Sequence, residues 1–100
     1  MKTIDAKEEH LELVKSILRS ILGKNLRVFA FGSRVTGKAG PFSDLDLALD
    51  LGRPLTLKEQ ADLAEAFEQS ILPYKIDCVD WQSVSDDFKA LIKKDRVDLL

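Results

Sequence analysis

The sequence predicts a mixed α/β (α+β) fold, a small mixed β-sheet of three to four strands flanked by helices. Three observations predict it. Apolar residues recur at helical spacing in residues 6–22 and again after Thr56 and after Ser85. Short runs at 26–31, 44–50 and 74–81 are continuously apolar or alternate with period two, as strands do. Glycine and proline punctuate the joints at Gly23, Gly40-Pro41, Pro54 and Pro73.

Each element has its own signal. Asp5-x-x-Glu8 has the form of a capping box, which ties up free N–H groups at a helix start. Leu11, Val14, Leu18, Ile21 and Leu22 then form one stripe, and Gly23 is a natural stop. "LRVFAF" (26–31) is apolar on both alternating sets apart from Arg27, which suits a central strand covered on both faces. "DLDLALD" (44–50) alternates strictly: Leu45, Leu47 and Leu49 against Asp44, Asp46, Ala48 and Asp50. Pro54 and Thr56-x-x-Glu59 open a second helix, with Leu57, Ala61, Ala64 and Phe67 as its expected inner stripe. "YKIDCVDW" (74–81) reads as a third strand. A short helix follows Ser85 with Phe88, Leu91 and Ile92 inward, and "RVDLL" (96–100) is an expected edge strand.

The order is α-β-β-α-β-α-(β). About a dozen residues without a long helix join the first two strands, which are expected antiparallel. A helix joins the second and third, which are expected parallel with a right-handed crossover.

Composition bounds the rest. One hundred residues make a single expected domain over 1–100, with 45% hydrophobic and 32% charged residues, as in ordinary globular chains. A net charge of -2 gives no strong nucleic-acid signature. No apolar run reaches the roughly 18 residues of a membrane span, and the polar start "MKTIDAKEEH" does not read as a signal peptide. The lone Cys78 excludes an internal disulfide and fits a reducing cytoplasm; with the lone His10 it also excludes an intrachain zinc cluster. Cys78 reads as a small buried apolar residue, and His10 as a surface residue of the first helix. Trp81 suits either the core or a partner contact.

"FAFGSRVTGKAG" (29–40) invites comparison with a P-loop, because Gly32, Gly37 and Lys38 match its opening. The match stops there. Ala39 stands where a Mg²⁺-binding hydroxyl should be, and Gly40-Pro41 leads into a strand where a P-loop enters a helix. Lys38 reads as a solvated turn residue and Ser43 as a brace for the turn.

A different chemistry fits. Two Asp at i and i+2 of a strand point to one side with their roots roughly 6–7 Å apart. Asp44 and Asp46 can therefore reach a common region in front of the sheet, and a cation relieves their repulsion. Hard oxygen ligands suit Mg²⁺, with Mn²⁺ as an alternative, usually shared with substrate phosphates. Gly32 lets backbone approach a phosphate, and the Ser33 N–H and hydroxyl can donate to it. Arg34 can add a fork of donors to a triphosphate or can serve as a surface ion-pair partner. The third strand offers Asp77 and Asp80 on opposite faces. Asp77 lies as deep in its strand as Asp46 does in the one before, which puts the two side by side in parallel neighbours.

Taken together, "GSRVTGKAGPFSDLDLAL" resembles the signature of the minimal nucleotidyltransferases of the DNA polymerase β-like superfamily, through Gly32, Ser33, Arg34, Gly37, Ser43, Asp44, Asp46 and Leu47. "YKIDCVDW" is similar to the family's third-carboxylate strand, with Asp77 in the catalytic position. The resemblance covers about residues 10–100 and implies the nucleotidyltransferase fold. It also implies that Gly32 and Ser33 hold a nucleoside triphosphate and that Asp44, Asp46 and Asp77 bind two Mg²⁺. It further implies a HEPN-domain toxin as partner, toward which such short proteins act as antitoxins, some by attaching AMP.

The expected activity is therefore NMP transfer, with ATP the expected substrate, to a hydroxyl on a partner toxin. The alternative is a nucleotide-binding antitoxin that neutralises its partner by docking alone. A small-molecule nucleotidyltransferase ranks below both, because those enzymes usually carry an added substrate domain. The core and the phosphate site use nearly every element, so the acceptor is expected to arrive on another protein. A homo-oligomer is left open.

Overall fold

The structure, a computed structural model, describes residues 3–100. The first two residues of the polar N-terminal stretch lie outside the described residues. In chain order the elements are α1 (Glu8–Leu22), β1 (Arg27–Phe31), α2 (Ser33–Thr36), β2 (Leu45–Asp50), α3 (Leu57–Glu68), β3 (Ile76–Asp80), α4 (Asp86–Asp95) and β4 (Val97–Asp98). One four-stranded sheet has the order β3-β2-β1-β4. β1 runs antiparallel to β2 and β4, and β2 runs parallel to β3, as the connections require. β4 confirms the expected edge strand.

Strand alternation divides the core in two. Val28, Ala30, Leu45, Leu47, Leu49 and Ile76 point to the face covered by α1 and α3, where Leu11, Val14, Leu18 and Leu63 meet them. Phe29 and Ala48 point to the opposite face, where Ile92 of α4 covers them beside Phe31, Val79 and Trp81. Trp81 is half-buried, edge-on to Phe29 with ring centroids 5.6 Å apart, so it belongs to this smaller core. The short α4 covers only part of its face and leaves one end of the sheet open.

Several expectations need correction. The Asp5-x-x-Glu8 capping box does not form: Lys7 is the N-cap of α1 and no side chain caps it. The Asp5 backbone is engaged elsewhere, its N–H donating to Arg34 O and its carbonyl accepting from Arg34 Nη1. A single helical turn, α2, follows Gly32 directly; it was not singled out in the sequence, though the connection has no long helix, as expected. In α3 the inner stripe is Leu63 with Phe67; Ala61 and Ala64 face solvent and Leu57 is 84% exposed. Leu57 is the first residue after the cap, before the helix has turned onto the sheet. In α4, Ile92 is buried as expected, Phe88 rests on Phe31 with its other side open, and Leu91 is exposed. The Thr56 capping box forms in full, with both the Thr56 and Glu59 side chains bonding backbone N–H groups.

Candidate functional site

The β2–β3 register places Asp46 directly opposite Asp77. In paired strands opposite residues share a face, so both carboxylates project to the α4 side, at the end that α4 leaves open. Leu45, Leu47 and Ile76 anchor the same stretches on the other face. Asp44 immediately precedes β2 and is exposed, as is Asp77; Asp46 between them is half-buried. Burial pushes the Asp46 carboxyl above its ordinary value, and the charges of Asp77 and Asp44 push it in the same direction. The side chains do not yet close on one point: among the described residues, no group of three His, Cys, Asp or Glu could hold a metal ion as placed.

Gly32 ends β1 beside Asp46, since Phe31 is the cross-strand partner of Asp46. Two constraints require glycine here. Its φ of +80° lies in the left-handed region that L side chains avoid. A Cβ built on it would collide with Asp46 Oδ2 and come within 3.2 Å of Asp46 Cγ. Gly32 is also the N-cap of α2, and its carbonyl accepts from the N–H of Val35 and Thr36. The Ser33 and Arg34 N–H groups therefore open the helical turn, where no intrahelical acceptor is available. The backbone bend and the half-buried carboxylate stand against each other with no side chain between.

Arg34 is where the structure departs furthest from expectation. It is only 5% exposed, and each of its three guanidinium nitrogens donates to a backbone carbonyl. Nε donates to Ser43 O at 2.8 Å, Nη1 to Asp5 O at 2.7 Å and Nη2 to Pro41 O at 3.2 Å. Its Cζ lies over the Tyr74 ring, 3.8 Å from the centroid. Arg34 is thus buried and not a surface ion-pair partner, and three of its five N–H donors serve backbone carbonyls. Sequence reasoning missed Tyr74, whose hydroxyl also lies 3.2 Å from His10 Nδ1, so His10 is half-buried against a ring. The 40-residue separation of Arg34 and Tyr74 left no local signal.

The other candidates have simpler roles. Ser43 Oγ accepts from the Gly40 N–H at 2.9 Å and so braces the turn, and Lys38 is exposed. Asp80, on the opposite face from Asp77, is a structural acceptor for the Leu55 and Gln82 N–H groups and the Ser83 hydroxyl. Burial, with the Asp77 charge, pushes the Cys78 thiol up to about 12, which leaves it inert as a nucleophile. No helix among the described residues is long and apolar enough to cross a membrane.

The family model of polymerase beta nucleotidyltransferases matches residues 8–100. The chain belongs to that family. It is 45% identical over 91 residues, 91% of this chain and 79% of the relative, to the "Probable protein adenylyltransferase MntA" of Haemophilus influenzae. Among solved structures, a toxin-antitoxin with AMP-PNP superposes with a TM-score of 0.76 at 24% identity, covering 90% of this chain and 72% of that one. A mutant of the toxin-antitoxin MntA-HpeT superposes with a TM-score of 0.75 at 22% identity, over 90% and 72% of the two chains. At these identities the likeness is one of fold. This nucleotidyltransferase thus has the sheet of its family, with Asp46 and Asp77 paired on its open face.

Proposed function

We propose that this nucleotidyltransferase transfers AMP from ATP to a hydroxyl on a partner toxin of the HEPN type and so acts as its antitoxin. The observation that carries the reading is the pairing of Asp46 with Asp77 on one open face, with Gly32 pressed against Asp46. The 45% identity to a protein adenylyltransferase supports the choice of AMP and of a protein acceptor.

The residues present fit a divalent cation. The donors are hard carboxylate oxygens, which suit Mg²⁺ or Mn²⁺. Burial raises the Asp46 pKa and the Asp77 and Asp44 charges raise it further, a repulsion that a cation would relieve. Asp44, Asp46 and Asp77 would hold two ions, the exposed Asp44 and Asp77 turning toward the less mobile Asp46. When bound, such ions neutralise charge on the triphosphate and acidify the attacking hydroxyl. Gly32 would admit the β- and γ-phosphates close to backbone, and the Ser33 N–H and hydroxyl would donate to them. The acceptor oxygen attacks the α-phosphorus, the bond from that phosphorus to the bridging oxygen breaks, and pyrophosphate leaves. Asp77, exposed on the edge strand, would take up the hydroxyl proton.

Asp44 and Asp77 are both exposed, which suits an acceptor brought by another protein. The test is incubation with the protein encoded beside it, Mg²⁺ and α-labelled ATP. Label should move to the partner and should not do so with Asp44→Asn or Asp46→Asn. One observation favours the second reading, docking without catalysis: the carboxylates as placed do not converge. Full neutralisation of the partner by the Asp46→Asn protein, without label transfer, would establish that reading instead.

A further inference from the structure

We infer that Arg34 is a positioning residue for the carboxylate site: its guanidinium fixes the two chain segments that deliver Asp44, Asp46 and Asp77. The inference rests on the functional reading above, since it assigns Arg34 a task toward that site's metal ligands.

The geometry is specific. The carbonyl held by Nε at 2.8 Å is that of Ser43, and its peptide plane ends at Asp44 Cα. Fixing that carbonyl fixes the direction in which Asp44 leaves the turn, two residues before Asp46. Nη2 holds Pro41 O in the same turn. The guanidinium Cζ also sits over the Tyr74 ring, 3.8 Å from its centroid, three residues before Asp77. The Lys75 carbonyl, next along, accepts from the Leu45 N–H at 2.9 Å, so the entrances of β2 and β3 are also tied directly. Nη1 closes the arrangement on Asp5 O. Arg34 itself follows Ser33, so the phosphate-facing bend and both acid-bearing strands meet at one planar cation.

Only a planar fork does this. Lysine keeps the charge and has three donors, but a tetrahedral ammonium cannot point in-plane at three carbonyls while lying flat on a ring. No acid within ion-pairing distance of Arg34 is found among the described residues, so carbonyl dipoles and the ring face hold its charge. A residue whose task was only to carry charge would not need this arrangement.

The test uses the full chain and separates ligand positioning from phosphate contact. Mn²⁺ binding without nucleotide, and ATP binding in EDTA, are measured by titration for wild type, Arg34→Lys, Tyr74→Leu and Tyr74→Phe. Residues that orient metal ligands typically change metal affinity 10–100-fold when replaced, so Arg34→Lys should weaken Mn²⁺ binding by about tenfold or more. ATP binding in EDTA should stay within about twofold for that variant, a small fraction of the metal effect. Tyr74→Leu should weaken Mn²⁺ binding in the same direction, and Tyr74→Phe, which keeps the ring, should not; this pair tests the inference even if Arg34→Lys fails to fold. Unchanged Mn²⁺ affinity in folded Arg34→Lys, or in Tyr74→Leu, overturns the inference alone. Loss of metal-free ATP binding in Arg34→Lys overturns it in favour of a phosphate contact. If wild type binds Mn²⁺ only beside a non-hydrolysable ATP analogue, the variants are compared with that analogue present; wild-type protein that binds no Mn²⁺ even then overturns the functional reading and this inference with it.

Discussion

Asp46 lies directly opposite Asp77 across the parallel β2–β3 ladder, with its inner oxygen packed against the Gly32 backbone. Two like charges share one face there, and one of them is half-buried. Such an arrangement weakens the fold unless something else compensates it.

The first prediction is that Asp46→Asn stabilises the chain in chelator. The folded-state pKa of Asp46 is raised by burial and by Asp77 and Asp44. A raised pKa means that the folded state binds the proton more tightly than the unfolded one. This group's contribution therefore favours folding below the ordinary carboxylate value and is lost as pH rises through the raised value. At neutral pH the ionised side chain opposes folding, and Asn removes that charge. Thermal melts in EDTA should show a Tm higher by about 2–5 °C. The same variant should lose AMP transfer.

Gly32→Ala should damage both stability and activity. The left-handed φ costs an L side chain about 1–2 kcal/mol, and the added Cβ meets the Asp46 carboxylate. Urea titration should give a loss of about 1–3 kcal/mol. Transfer activity should fall at least about 100-fold, because the bend and Asp46 would both shift.

Away from the site, the N-terminus of α3 should govern stability without touching chemistry. Thr56→Ala removes a complete capping box and should cost about 1 kcal/mol. Glu59 joins the same cap and accepts two bonds from Arg53 at 2.9 Å, chiefly why its pKa falls to about 2. A depressed pKa gives a contribution present above the ordinary carboxylate range and lost as pH falls through about 2. The Glu59→Gln variant should therefore lose less stability than wild type on acidification in that window. Neither variant should change kcat.

Cys78 offers a label-free probe of opening. Its thiol, pushed up to about 12, should react with a thiol-specific disulfide reagent at pH 8 far more slowly than in the unfolded chain. A rate equal to that of the unfolded chain would contradict the packing described for β3.

Much of this was legible in residue types and spacing. The strict alternation of Leu45–Asp50 set which side chains are buried, and connection lengths set the strand directions. Counting depth along two parallel strands was enough to pair Asp46 with Asp77. What escaped was non-local. Arg34 sits in a motif where charge suggests a ligand, yet its partners are carbonyls at Asp5, Pro41 and Ser43 and a ring at Tyr74, none of which local pattern can assemble. The Asp5-x-x-Glu8 signal failed because Arg34 engages the Asp5 backbone. The stripe of α3 was right at Phe67 but missed Leu63, because Ala61, Ala64 and Leu57 also satisfied helical spacing.

The most direct test is a crystal structure with Mn²⁺ and a non-hydrolysable ATP analogue, read by anomalous scattering. Mn²⁺ peaks are expected roughly 2.0–2.2 Å from oxygens of Asp44, Asp46 and Asp77, with the triphosphate against Gly32 and Ser33. Metal bound without Asp77, or a triphosphate seated away from the Gly32–Ser33 bend, would contradict it.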